Sequence, residues 1–384
     1  MSVPQPAEAA AALRPPRSAV TSGAPIQLRF LAIWIGLLVL VALGAVVVPR
    51  SLLPSTFLAI IPLAAFLTIC SVGEALVIMS RGIDLSIPAV ITLSSTVVLG
   101  ISAGRDANLL AAIVGALLFA ILIGAVNGIL ISVFELNALI VTLAVGAMTS
   151  GATLWYRDAL PAEARVPPLM AAWGDARLFG LNVSVWVAAA LIVILTIVLR
   201  KTPMGRRFCA ADANPRAAWV AGVNVSSHKL AAYIAAGLFY GIVGILLSAF
   251  IRNPTLRVGE PYLLAPIAAA VLGGTAISGG IGSMIAVSGA ALFLTQLGQM
   301  LKMLGPVFSS AIHNRGRRDR IWHGARGLQS SADSVMAQAN EEPIWLTRST
   351  RRAPLETSWF APQLKKRSLC DWASLINALS LLAQ

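Results

Sequence analysis

Long apolar runs separated by short polar stretches occupy most of the chain. They fall at about 30–48, 56–79, 86–103, 109–134, 138–156, 183–199, 230–251, 263–281 and 284–304. A helix rises about 1.5 Å per residue, so runs of this length suit a hydrocarbon layer about 30 Å thick. The pattern predicts an all-α polytopic membrane protein with about nine transmembrane or re-entrant helical segments. The two runs around "GGTAISGGIGS", residues 273–283, are broken by glycine. One of them is therefore expected to be re-entrant or discontinuous, which is tolerated only where protein or a water-filled cavity surrounds the backbone.

Composition strengthens this reading. Hydrophobic residues make up 57% of the 384 and charged residues 12%, about half the usual share of a globular domain. A soluble domain could not hide that much apolar surface. The first apolar run follows Arg14, Arg17 and Arg29 and is long enough to span, so it is read as a retained helix rather than a cleaved signal. Residues 1–27, rich in Ala, Pro and Ser, are expected to be a disordered cytoplasmic tail. The formal net charge is +13. In a soluble chain that would suggest nucleic acid; in this one it is read as Lys and Arg enriched in cytoplasmic loops.

Charge also predicts orientation. The stretch from Arg200 to Lys229 holds Arg200, Lys201, Arg206, Arg207, Arg216 and Lys229 against one acid, Asp212. It is expected to be cytoplasmic. Six predicted spans separate it from the N-terminus, which places that end in the cytoplasm too. The loop from Arg157 to Leu181 balances three Arg against Asp158, Glu163 and Asp175, as suits an external loop.

Two charges sit deep in this pattern, Arg81 and Asp84, in "SRGIDLSIPAV". "DLSIP" reads as a helix start: Asp84 or Ser86 can cap, and Pro88 is tolerated in the first turn. On this account Arg81 and Asp84 form a local pair at the membrane edge. The sharper reading is that the segment dips into the bundle, where ionisable residues are expensive and line a path. Asn127 and Thr142 are polar groups inside apolar spans. They are candidates for interhelical hydrogen bonds, worth about 1 kcal/mol, or for lining a polar route with Asp84 and Ser86.

Four motifs in order resemble the integral permeases of ribose-type sugar ABC importers, in the branched-chain amino acid and sugar permease superfamily. They are "GIDLS", "GAVNG" (124–128) with "NALIVTLAVGAMTSG" (137–151), "TPMGRRFCAADANPRAAWVAGVNV" (202–225) and "GGTAISGGIGS". Together they cover roughly residues 30–305, and residues 28–305 are assigned as the permease domain. Two positions depart from the family pattern. Asp212 and Ala213 stand where Gly–Gly commonly precedes "NP", and Ala138 and Leu139 stand where Pro–Phe is usual.

The resemblance implies a permease subunit in a bacterial plasma (inner) membrane. It also implies an ATP-binding cassette ATPase subunit, an extracytoplasmic solute-binding protein and a second permease copy as partners. No nucleic acid is expected. No "GxxxxGK[ST]" loop occurs, so the chain cannot cradle ATP by a P-loop; ATP is expected on the partner, and no cofactor in this chain. His228, His313 and His323 form no zinc pattern, and Cys70, Cys209 and Cys370 lie far apart, so neither a metal site nor a disulfide framework is expected. No enzyme is read here. "NPRAAWVAGV" predicts a short helix with Asn214 as cap, Pro215 in the first turn and a stop at Gly222. The resemblance implies that it is the coupling helix, with Gly205, Arg206, Asn214, Pro215, Ala217, Ala218 and Gly222 in the coupling loop. The plainer alternative is an amphipathic loop helix lying on the membrane. The glycines of 273–283 have no Lys nearby and are read as close-packing positions rather than a phosphate nest.

Two rivals stay in view. A branched-chain amino acid permease would need groups for a carboxylate and an ammonium. An ion-coupled secondary transporter would need midplane acids, and only Glu74 and Asp84 qualify.

After Pro306 the character changes. "HNRGRRDRIWHGARGLQSSADS" is charged where the family has a last apolar span, and residues 306–384 carry 11 Lys/Arg and 6 Asp/Glu. The final family span is missing or replaced. This atypical basic tail is either a soluble extension or a product of reading out of frame from about residue 310. Codons for "RDRIWHGA" exist that, shifted by one base, encode an apolar segment.

Overall fold

A computed structural model describes residues 26–161 and 164–304. The expectations for residues 1–25 and for the tail lie outside the described residues.

Among the described residues, twelve α-helices are seen. They are α1 (Ile26–Val47), α2 (Pro54–Met79), α3 (Ile87–Ser102), α4 (Leu109–Ser132), α5 (Ala138–Asp158) and α6 (Pro168–Asp175). Then come α7 (Val183–Lys201), α8 (Pro203–Ala213), α9 (Pro215–Val220), α10 (Val225–Ile251), α11 (Ala265–Leu272) and α12 (Met284–Leu304). Among the described residues, one short hairpin pairs Arg177–Leu178 with Leu181–Asn182. It ends in the Asn182 side chain that caps α7 by accepting from Ser184 N.

Among the described residues, seven helices are long and apolar enough to cross a membrane. Within a bilayer the polar N–H and C=O groups of the backbone have only one another to bond to, which makes helices of these runs. α2 and α10 form the centre, with 67% and 56% of their span windows buried, while α1 and α7, at 17% and 11%, present side chains outward. α10 packs along α4, α2 and α3. Its approach to α4 is backbone against backbone: a Cβ on Gly237 would lie 2.5 Å from Ala120 O, and one on Gly124 2.5 Å from Tyr233 O. Without a hydrophobic force between helices in lipid, such close contact is what holds them.

Two of the expected segments are shorter than full spans. The run at 263–281 is helical only over Ala265–Leu272, and 273–283 is non-helical. The discontinuity expected there is thus present. The run at 86–103 yields a helix of 16 residues, about 24 Å long. The missing length is supplied by residues 82–86, which run non-helically back into the bundle before α3 begins.

The two ends of the bundle are tied separately. At one end Arg252, just past α10, pairs with Asp175, and Arg157 donates to Asn253 Oδ1 at 3.2 Å. At the other end Arg81 meets the C-terminus of α8. The turn after α2 and the 202–225 loop therefore share one end, and 157–182 lies at the other, as the span count requires.

Candidate functional site

α2 is apolar except for small hydroxyl residues and Glu74, which lies fully buried. Past its end the chain turns at Ser80–Arg81 and re-enters. Residues 82–86 leave the helical hydrogen-bond ladder inside the bundle, and buried amides without partners are costly there. Side chains meet that need. Asp84 N donates to Glu74 Oε1 (3.2 Å), Leu85 N to Thr142 Oγ1 (3.1 Å) and Ser86 N to Asp84 Oδ1 (2.8 Å). Ser86 Oγ also donates to Asp84 Oδ1 (2.6 Å), and Asn127 Nδ2 donates to Ser86 Oγ (2.9 Å). Thr142 Oγ1 turns its proton toward Ala138 O (2.9 Å).

The four residues singled out from sequence thus form one network. Asp84, Ser86, Asn127 and Thr142 are all at most 1% exposed. Glu74 and Tyr240 belong to it as well, with Tyr240 Oη donating to Glu74 Oε2 at 2.9 Å. Sequence reasoning named Glu74 only for the ion-coupled rival and missed Tyr240. The available signal was a lone acid in a long apolar helix and a tyrosine in another, each needing a polar partner. Two buried polar atoms beside this segment have no partner among the described residues, Asn127 Oδ1 and Tyr233 Oη. Gly82 brings the segment onto Tyr233: a Cβ there would lie 2.2 Å from the hydroxyl.

The local Arg81–Asp84 pair is not formed, and this is a correction. Asp84 turns inward to Ser86. Arg81 turns away, donating from Nε to Asp212 O (3.0 Å) and from a terminal nitrogen to Ala213 O (3.2 Å). Those are the last carbonyls of α8, which lack intrahelical partners and form the negative end of the helix. Ser86 makes no side-chain cap on α3; Pro88 does sit in its first turn.

The 202–225 loop is a helix pair rather than a single helix. Thr202 caps α8 by accepting from Gly205 N at 3.2 Å. Gly205 is buried, because a Cβ there would lie 2.2 Å from Val198 O. Arg206 is exposed and donates to Lys201 O at 3.1 Å. Asn214 caps α9 by accepting from Ala217 N at 3.1 Å, with Pro215 in the first turn. α9 ends at Val220, and Gly222, the expected stop, takes φ +77° in the turn that terminates it. Ala218 is buried within the loop, whereas Ala217 is exposed. Trp219 and Val220 are 75% and 80% exposed. Asp212 is buried and neither carboxylate oxygen has a hydrogen-bond partner among the described residues. Desolvation pushes its carboxyl up to about 6, against the attraction of Lys229, His228 and Arg81.

A bundle of long apolar helices around a buried polar network, with an exposed apolar patch on the 202–225 loop, suits a membrane permease. The chain belongs to the family described as branched-chain amino acid transport system / permease component, whose family model matches residues 56–312. It is 31% identical to the ribose import permease protein RbsC of Escherichia coli over 274 residues, 71% of this chain and 85% of that one. Against the protein of the same name in Bacillus subtilis the identity is 33% over 273 residues, 71% and 84%. The autoinducer 2 import system permease protein LsrC of Escherichia coli is 31% identical over 251 residues, 63% and 70%. No solved structure matches.

Proposed function

We propose that this chain is the membrane-spanning subunit of an ABC importer in a bacterial inner membrane, moving a monosaccharide or similar small polar solute by alternating access. A separate ATPase subunit binds ATP and drives the cycle, a binding protein delivers solute outside, and a second permease copy completes the pore. The N-terminus and the 202–225 loop face the cytoplasm. The observation that carries this reading is α9: a short capped helix of small residues that exposes Trp219 and Val220, set in a chain similar to two named import permeases. Such a patch on a polar loop suits a partner's cleft. Asp84, Ser86, Asn127 and Thr142 are proposed to meet solute when the bundle reorients. Among the described residues this network carries two acids, Glu74 and Asp84, and no basic side chain, a setting that suits a neutral solute better than one with a carboxylate.

The basic tail is proposed to start where the reading frame shifts. In support, the family match ends at residue 312, close to residue 310. Sequencing the locus tests this, and an intact in-frame tail in close relatives rejects it.

Uptake of labelled ribose into proteoliposomes containing the chain, its ATPase and its binding protein tests the function. ATP-dependent uptake is expected; robust ATP hydrolysis by this chain alone would overturn the subunit assignment. Cysteines placed at the exposed positions Arg165 and Ser226 are expected to label from opposite sides, Ser226 from the cytoplasm. Labelling of both from outside would break the orientation.

A further inference from the structure

Three segments distant in sequence meet at the loop end of the bundle. The end of α2 and its turn contribute Met79–Arg81, the joint between α8 and α9 contributes Asp212–Ala213, and the glycine loop contributes Gly279–Gly280. Gly280 N donates to Met79 O at 3.0 Å. A Cβ on Gly279 would lie 2.8 Å from Arg81 Cγ and 2.9 Å from Asp212 O, and one on Gly280 would lie 2.8 Å from Ala213 Cα. The glycines leave no slack, so a displacement of the α8–α9 joint presses on the other two segments.

Arg81 is the side chain that crosses this joint. Its backbone takes φ +64°, a left-handed conformation that glycine adopts without steric cost and a side-chain-bearing residue does not. The fold therefore favours glycine here on backbone grounds, and what arginine adds is its guanidinium. That group bonds two carbonyls at once, a grip suited to its planar fork. One residue further on begins the re-entrant segment 82–86, whose amides bond to Glu74, Thr142 and Asp84.

We propose that Arg81 is a positioning residue that transmits movement of the α8–α9 loop into the 82–86 segment. The inference rests on the reading of α9 as the ATPase-docking helix. When the partner displaces that helix pair, the α8 C-terminus carries Arg81 with it. The start of the re-entrant segment follows, and the hydrogen bonds at Asp84, Leu85 and Ser86 shift. The movement reaches the polar network without a continuous helix between loop and core, because the extended segment is anchored at both ends.

The test is hydrogen exchange of the full chain in nanodiscs with its ATPase subunit, with and without MgATP and vanadate, comparing native protein with Arg81→Gly. Glycine suits the left-handed backbone, so the variant is expected to insert and bind the ATPase as the native chain does. In native protein, nucleotide is expected to change exchange both in the 202–225 loop and at residues 82–86, the latter by about tenfold. In Arg81→Gly the loop response is expected to remain and the 82–86 response to vanish. Arg81→Lys, which keeps a donor but not the fork, is expected to recover part of it, and carries the comparison if the glycine variant inserts poorly. An unchanged 82–86 response in these variants overturns the inference and leaves docking intact. Absence of any loop response in native protein overturns the docking reading, and the inference with it.

Discussion

The polar network around Asp84 and the α9 loop handle polarity and burial in opposite ways. In the network, polar groups lie inside the bundle and most find partners within the chain: Asp84 holds both donors of Ser86, and Glu74 holds Tyr240 and the Asp84 amide. At α9 the polar groups are capped and exposed, and the groups left without a partner are apolar, Trp219 and Val220. The first region spends side chains on stabilising an irregular backbone where water is absent. The second folds locally and keeps its hydrophobic groups outward. Damage to the first should therefore unfold, and damage to the second should disconnect.

The largest effect is expected at Asp84. Asp84→Ala removes the acceptor of Ser86 N and Oγ and should destabilise by about 3 kcal/mol, since each buried donor left unpaired costs about 1–3. Thermal unfolding in detergent checks this; Asp84→Asn, which keeps an acceptor oxygen, should lose far less. An equal loss in both would show that charge, not hydrogen bonding, holds the segment.

At Trp219 the sign of the contrast reverses. Trp219→Ala should leave unfolding within about 0.5 kcal/mol of native, as exposed substitutions do. It should also weaken ATPase association by about 2 kcal/mol, roughly 30-fold, as for an aromatic anchor. Co-purification measures it, and undiminished recovery would reject docking through α9. Ala217→Asp, on the exposed side, is the companion test. Ala218→Asp would instead break the loop itself, because Ala218 is buried in it.

Asn127 should matter less. Asn127→Ala loses one bond to Ser86 Oγ, while its Oδ1 has no partner to lose, so the cost should be about 1 kcal/mol in the same unfolding measurement.

The last test concerns pH at Asp212. Its folded carboxyl is raised to about 6 from an ordinary 3.8. Between those values the folded chain keeps a proton that the unfolded chain has released. The contribution is present in full below about 3.8 and is lost as pH rises through about 6. Asp212→Asn should flatten that fall, and unfolding temperatures at pH 5 and pH 7 compare the two. A native chain more stable at pH 7 through this residue would contradict its burial without a hydrogen-bonding partner.

The apolar runs gave the helices because lipid leaves a backbone no other partner, and the glycine interruption gave the break after α11 because glycine carries no side chain to hold a helix there. The α9 cap, its proline start and its glycine stop were likewise readable, since each is a local backbone requirement. Asp84, Ser86, Asn127 and Thr142 could be singled out as polar residues in apolar surroundings.

Their assembly into one network came only from tertiary structure, because Glu74, Asp84, Asn127, Thr142 and Tyr240 lie on five different segments. Arg81 shows the limit most clearly. Spacing alone placed it beside Asp84, three residues away. In the fold it spans 131 residues to Asp212, because α8 ends with bare carbonyls beside it and the inward turn of residues 82–86 leaves Asp84 satisfied by Ser86. Local sequence determines which groups need a partner; the packing of helices decides which partner is within reach.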